Sequence, residues 1–434
     1  RSGAGGDTIR SMTLAFRVML ITACLTIAFT AGFNILREHG YVGASWLPFT
    51  KVHYARSVAS QILGKKQMQG GYLPAAEILN SGGKDLLVQY TADEALERML
   101  VSALQKGQVR YAAFVAMDPD TGEVKALLSY GHNTENLALR ATYPAASVFK
   151  IVTAAAAIEA RRLSAGSLIP LKGSYHTLFR QNIFNSGGLS LASANGPARY
   201  WRHITLADAF GKSVNSIFGK IGIFGVGPQG LRDFAAKFFF NRPIPFDLAL
   251  DESRAIIPDD PYGLAESASG FTRFNTMSPV HGALIAATVA QGGIAMEPYT
   301  VSAITTKEGE SLYSAGPREL GRVLNVETAE ELKVLMERTV SSGTSRGAFR
   351  DKRRNIILSQ LTIGGKTGTL DGEAPRGRYD WFVGYATRGV KKLAVSALCI
   401  HGELRGIKAS QVARLAIERY FKPDLALAVR PAAQ

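Results

Sequence analysis

Three short stretches carry hydroxyls, amines and an amide at spacings that suit acyl transfer: Ser147-Val148-Phe149-Lys150, Ser213-Val214-Asn215 and Lys366-Thr367-Gly368-Thr369. A serine becomes a nucleophile when a nearby base takes its proton, and a lysine three residues on, on the same face of a helix, can be that base. Such a lysine must be neutral, so burial and a neighbouring cation should hold its pKa down. Ser213 and Asn215 would add a second hydroxyl and an amide, and Lys366 a positive charge at a strand edge. An enzyme built on this set needs no metal, no cofactor and no catalytic histidine.

Each stretch is weak alone. Chance yields about one Ser-x-x-Lys pair in a chain this long at average composition. Ser81-Gly82-Gly83-Lys84 repeats that spacing in a stretch that reads as glycine-rich linker, and Ser193-Ala194-Asn195 repeats Ser-x-Asn among loop residues. Local setting separates the three from their decoys. An alanine-rich helix is expected from about Ser147 to Ala160, so Ser147 and Lys150 would open it, where free N–H groups meet a developing oxyanion. The bland reading of the pair is a capping serine and an ordinary lysine. Ser213 to Asn215 falls between the helical runs Ile204 to Phe210 and Ile217 to Ile223, a short connection that could point both side chains into a cleft. Lys366 follows Gly364-Gly365 on a strand, and Gly368 is expected to let a ligand backbone approach the strand edge.

The elements that must position these groups follow from periodicity. A capped helix is expected over Asp93 to Lys106, and strands over Tyr111 to Met117 and Glu123 to Ser129, joined by the turn Asp118-Pro119-Asp120-Thr121-Gly122. Arg161 to Ile204 reads as loop-rich. Helices dominate Leu206 to Phe239 and Pro279 to Gln291. Strands return over Thr362 to Thr369, Tyr379 to Ala386 and Leu393 to His401, and an amphipathic helix runs from Ser410 to Phe421. Strands at both ends with helices between predict one α+β layer domain whose sheet is completed by distant segments.

The 434 residues carry a formal net charge of +15, spread along the chain. No zinc spacing, RNA-binding signature or recognition-helix pattern turns that charge toward nucleic acid. An anionic surface, lipid headgroups or an acidic wall polymer, suits it better, beside simple solvation. The two cysteines, Cys24 and Cys399, lie in an apolar run and a strand-like run, so no disulfide between them is expected. Residues 12–36 are apolar over about the 20 residues that a bilayer needs, with Arg17 able to snorkel. Arg1 and Arg10 before them favour a cytoplasmic N-terminus. The expected layout is a short cytoplasmic segment (1–11), a transmembrane anchor (12–36), a juxtamembrane linker (37–83), an extracytoplasmic domain (84–421) and a tail (422–434). A cleaved signal peptide competes, but Phe29-Thr30-Ala31 fits a cleavage site poorly.

From these motifs the chain resembles the transpeptidase domain of penicillin-binding proteins, in the superfamily that also holds the serine β-lactamases. Further stretches are similar to that family: Asp118 to Val124 to its opening hairpin, Tyr143-Pro144 to the approach to its nucleophile, and Ser278 to Gly293 to its long middle helix. Ser342-Gly343-Thr344 and Trp381 to Tyr385 complete the likeness, which spans roughly Lys84 to Phe421. The resemblance implies a β-lactamase/transpeptidase-like α+β fold, an antiparallel sheet flanked by helices with an all-helical lobe. It implies Ser147 as acylated nucleophile, Lys150 as base, Ser213 as proton relay and Asn215 as holder of Lys150 and the substrate amide. Lys366 would supply positive potential, Thr367 and Thr369 would bind a carboxylate, and the N–H groups of Ser147 and Thr369 would form the oxyanion hole. The implied reaction cross-links peptidoglycan stem peptides ending in D-alanyl-D-alanine, with β-lactams as inhibitors and membrane-bound wall-synthesis proteins as partners.

Two departures qualify the likeness. Arg37 to Gly83 is too short for a glycosyltransferase region or for the large pedestal of many monofunctional members. Where the family often has glycine-x-glycine before its middle helix, this chain reads Ser269-Gly270-Phe271, which puts acceptor choice in doubt. A D,D-carboxypeptidase, a β-lactamase-like hydrolase, a β-lactam sensor and a non-catalytic wall-synthesis scaffold are the competing readings. His176, His203, His281 and His401 read as surface or core histidines, Trp381 and Tyr385 as sheet packing, and Arg376 and Arg378 as a solvated loop or an attractor of substrate carboxylates.

Overall fold

The computed structural model describes residues 71–81, 83–131, 136–161, 163–184, 189 and 202–428. The expected opening hairpin is present. The Asp118 carboxylate accepts the N–H groups of Asp120 (2.8 Å) and Thr121 (3.2 Å), and Gly122 closes the turn at φ +81°. A Cβ on Gly122 would lie 2.1 Å from the Glu297 carbonyl oxygen, so only glycine fits. The turn joins β1 (Tyr111–Met117) to β2 (Val124–Tyr130). Three long strands near the C-terminus, β3 (Thr362–Glu373), β4 (Arg376–Arg388) and β5 (Lys391–His401), complete an antiparallel sheet of order β3-β4-β5-β1-β2. Distant segments thus close one sheet, as the strand pattern predicts, and β3 is left at its edge.

Side chains alternate across the sheet with period two. On β4, Phe382 and Ala386 face a core shared with Leu96, Leu100 and Leu104 of α1 (Glu94–Lys106) and with Val412, Ala416 and Ile417 of the C-terminal helix Ala409–Ala428. Helix Pro279–Ala290 packs against β4 and β5, with Gly282 seated on Val383 and Ser396. Every residue of that helix is buried, which explains why it is apolar on all sides. His281 within it is a core histidine as expected, and burial pushes its imidazole down to about 4. Beyond β3 lies the helical lobe, in which α2 (Lys150–Arg161), α3 (Asn215–Lys220) and α4 (Pro261–Ser269) pack on one another.

Two of the four expected boundaries fall inside regular elements. Strands Ala76–Ser81 and Lys84–Tyr90 form a hairpin whose second strand pairs with Val301–Thr306. The boundary placed at Lys84 therefore falls inside a hairpin, and Ser81 faces Lys84 across its turn. Gly83, at φ +77°, lies in a tight turn, which composition alone cannot tell from a linker. The last helix runs past Phe421 to Ala428. Residues 12–36, read as an anchor, and the Ser193-Ala194-Asn195 decoy lie outside the described residues. Among the described residues no helix is long and apolar enough to cross a membrane.

Glu97 on α1 is fully buried. Its Oε1 accepts the Leu127 N–H at 2.8 Å, while Oε2 has no hydrogen-bond partner. Burial pushes its pKa up to about 8, against the opposing pull of the Leu127 N–H. The folded chain therefore keeps a proton that the unfolded chain has released, and stability should fall as pH rises from about 4.5 to 8. Glu97→Gln should flatten that slope, which for this one group is on the order of 4 kcal/mol. Urea titrations at pH 5 and 8 check this, and equal slopes for both proteins would count against it.

Candidate active site

Ser147 lies one turn short of the helix expected for it. Ala146–Phe149 is a 3-10 turn that runs into α2, so Lys150 is the first residue of the α-helix. Three residues still return to the same face, because a 3-10 turn has three residues per turn. Ala146, just before the serine, is in the left-handed region at φ +49°, a conformation costing on the order of 1–3 kcal/mol and maintained only by its surroundings. Those surroundings are explicit. Tyr143-Pro144 pairs with Thr276–Met277, the Ala145 N–H donates to the Asn275 carbonyl at 2.8 Å, and the Trp381 indole donates to the Pro144 carbonyl at 2.9 Å. Gly368 on β3 lies against the same turn. A Cβ there would stand 3.2 Å from the Ala145 carbonyl oxygen and 3.3 Å from Ala146 Cβ. Gly368 thus permits a close approach of β3 to the chain's own serine turn, a second use for a glycine at this position.

Lys150 is 0% exposed, and its Nζ has three hydrogen-bond partners. Ser147 Oγ and Asn215 Oδ1 are each at 2.8 Å, and the third is the Ser269 carbonyl oxygen at the end of α4. The orientation of the Asn215 amide is fixed, because its Nδ2 donates to the His176 carbonyl at 2.9 Å. Two of the three partners can therefore only accept. A neutral amine has two N–H bonds, one for each of them, and its lone pair is left for the Ser147 hydroxyl. Burial holds Lys150 well below the usual lysine range, and the Lys366 ammonium pushes the same way.

Ser213 and Lys366 form the second half of the site. Ser213, like Ala146, is left-handed, at φ +56° in the connection leading into α3. Its Oγ accepts from Lys366 Nζ at 2.9 Å, and the same ammonium donates to the Thr367 carbonyl at 3.0 Å. Burial pushes Lys366 down to about 7. The Thr367 hydroxyl is 2.5 Å from that of Thr344, in the turn after helix Val326–Ser341. A cavity of about 620 Å³ runs along the β3 edge past Ser147, Ser213, Asn215, Thr367 and Thr369.

All eight residues singled out in the sequence gather here, with Lys150 and Lys366 buried behind the cavity wall and Gly368 under the serine turn. Sequence reasoning missed the Ser269 carbonyl, because a main-chain oxygen has no residue signature. It also set aside His176 and His401, which line the cavity, and left Arg376 and Arg378 between a solvated loop and an attractor of carboxylates; both are on β4, with Arg378 in the cavity wall. Trp381 and Tyr385 pack the sheet as expected.

Residues 112–418 match the family described as penicillin binding protein transpeptidase domain. The chain belongs to that family. Among curated relatives it is 29% identical over 353 residues to the peptidoglycan D,D-transpeptidase PbpA of Mycobacterium tuberculosis, covering 70% of this chain and 66% of that protein. The PbpA of Mycolicibacterium smegmatis is 28% identical over 326 residues, covering 66% and 61%. The chain thus spans a little under two thirds of the length of these relatives. The solved imipenem acyl-enzyme complex of penicillin-binding protein A from M. tuberculosis superposes with a TM-score of 0.59 at 28% identity, covering 76% of this chain and 79% of that one. The fold, an antiparallel sheet with flanking helices, is that of this family's transpeptidase domain.

Proposed function

We propose that this chain is a membrane-anchored peptidoglycan D,D-transpeptidase that works through an acyl-enzyme on Ser147. The observation that carries the reading is the three-partner geometry of Lys150, with two obligate acceptors and the Ser147 hydroxyl around a buried amine. Lys150 takes the Ser147 proton as Oγ attacks the carbonyl of the penultimate D-alanine. The tetrahedral oxyanion rests on the N–H groups of Ser147 and Thr369. Ser213, hydrogen-bonded to Lys366, returns a proton to the departing D-alanine amine, and Asn215 holds Lys150 and the substrate amide. Lys366 with Thr367 and Thr369 receives the terminal carboxylate, and the same contacts receive the carboxylate of a β-lactam. An amine on a second stem peptide then takes the acyl group from Ser147. The names of the PbpA relatives support transfer over hydrolysis. The apolar run over residues 12–36 supports a single-pass anchor with the catalytic domain outside the membrane and membrane-bound wall-synthesis proteins as partners.

Fluorescent penicillin followed over time tests this, with Ser147→Ala alongside. Stable label on the parent protein and none on the variant is the expected result. Label that turns over within minutes would favour a hydrolase, and no label on folded protein would favour a scaffold.

A further inference from the structure

The cavity beside Ser147 extends beyond the residues that handle the reacting bond. Past Thr369 its walls are Leu370 and Asp371 of β3, Arg378 of β4, and Arg405 and Lys408 of the loop between β5 and the C-terminal helix. The three cations are exposed, and none makes a hydrogen bond or ion pair through its side chain among the described residues. Elsewhere the chain pairs its cations readily: Arg414 bonds Asp351 and Glu418, and Lys392 bonds Asp120. Two carboxylates share this end of the cavity. Asp380 is engaged, accepting the Ala409 N–H at 2.9 Å and lying 3.9 Å from His401 Nε2. Asp371 is opposite Arg378 in the strand register but makes no ion pair with it. This end therefore keeps a surplus of positive charge directed into the cleft.

The direction of the cleft says what would meet that charge. A peptide extended along the β3 edge with its terminal carboxylate at Lys366 and Thr367 and its reacting carbonyl at Thr369 continues toward Leu370 and Asp371. At about 3.3 Å per residue, the side chain one or two residues before the reacting D-alanine comes within reach of Arg378, Arg405 and Lys408. We propose that these three residues form a subsite for a carboxylate carried by the donor peptide upstream of the bond that reacts, so that the site selects donors whose side chain there is a free acid over those in which it is amidated. The proposal rests on the transpeptidase reading for its direction along the strand. Guanidinium and ammonium groups lining an open cleft give an acid a charge-assisted contact that the isosteric amide cannot match.

The test uses two synthetic peptides ending in D-alanyl-D-alanine, identical except that the residue preceding the pair carries a side-chain carboxylate or its amide. Equilibrium binding to the full chain carrying Ser147→Ala, which removes acylation from the measurement, should favour the acid about tenfold. Adding Arg378→Ala and Arg405→Ala should bring the ratio of acid to amide toward one and flatten its salt dependence. Both side chains are exposed, and Arg405→Gln in the loop serves as a second, milder variant with the same expected direction. Equal affinity of the two peptides for the Ser147→Ala protein, or an equal loss for both on removing the arginines, would overturn the proposal. Penicillin labelling of the unaltered protein is read separately, so failure of the serine chemistry is distinguishable from failure of the subsite.

Discussion

Gly270→Ala is expected to slow penicillin acylation at least a hundredfold and to destabilise the fold by about 2–4 kcal/mol. Gly270 ends α4 in the left-handed region at φ +65°, where a Cβ costs on the order of 1–2 kcal/mol by itself. The larger effect is steric. That Cβ would stand 1.9 Å from the Ala146 carbonyl oxygen and 3.1 Å from the Ser147 nitrogen, so the serine turn and the end of α4 must part. Parting them moves Ser147, the proposed nucleophile, and also the neighbouring Ser269 carbonyl, one of the acceptors around Lys150. Misplacement by about 1 Å at a reacting centre is enough for a loss of that size. Gly389→Ala is the control, since that residue is also left-handed, at φ +57°, but has nothing within 4 Å of the added carbon. It should show the backbone cost in thermal melts with acylation intact. Acylation by Gly270→Ala within threefold of the parent would sink the argument.

Gly270 also shows where the sequence stops being legible. The chain has one glycine where the family pattern often has two, and from the sequence this departure pointed only to the substrate-side loop. The structure gives the retained glycine a steric duty against the serine turn and gives Ser269 a duty through its carbonyl, which any residue at that position could supply. The order and spacing of the three motifs were legible because each is a set of side-chain types on an element with a clear period. The strands of the sheet were legible for the same reason, and so was the turn at Asp118, whose residue types suit one conformation. The left-handed Ala146 and Ser213 were not, because neither residue type favours positive φ and only the tertiary contacts maintain it. The hairpin at Ser81 was misplaced because paired glycines mark linkers and tight turns alike. The cationic end of the cavity was half visible: Arg378 could be named, but Arg405 and Lys408 meet it only through the pairing of β4 with β5.

Lys150→Arg is expected to lower penicillin acylation by a thousandfold or more at every pH from 5 to 9, although it keeps a long basic side chain. The proposed base must be a neutral amine, and a guanidinium does not lose its proton in this range, so it has no lone pair to offer Ser147. The parent's pH profile carries the same logic with its sign. Lys150 is lowered by burial and by the cation at Lys366, so acylation should rise with pH as Lys150 gives up its proton. Lys366 is lowered to about 7, so the positive charge proposed to receive the ligand carboxylate should fade above that value. The product is a bell whose falling limb lies near neutrality, and a charged Lys366 favours the neutral form of Lys150. Second-order acylation rates with a fluorescent penicillin between pH 5 and 9 would show the bell. A monotonic rise through pH 9 would remove Lys366 from the falling limb, and a Lys150→Arg protein acylated at even a few per cent of the parent rate would remove Lys150 as the base.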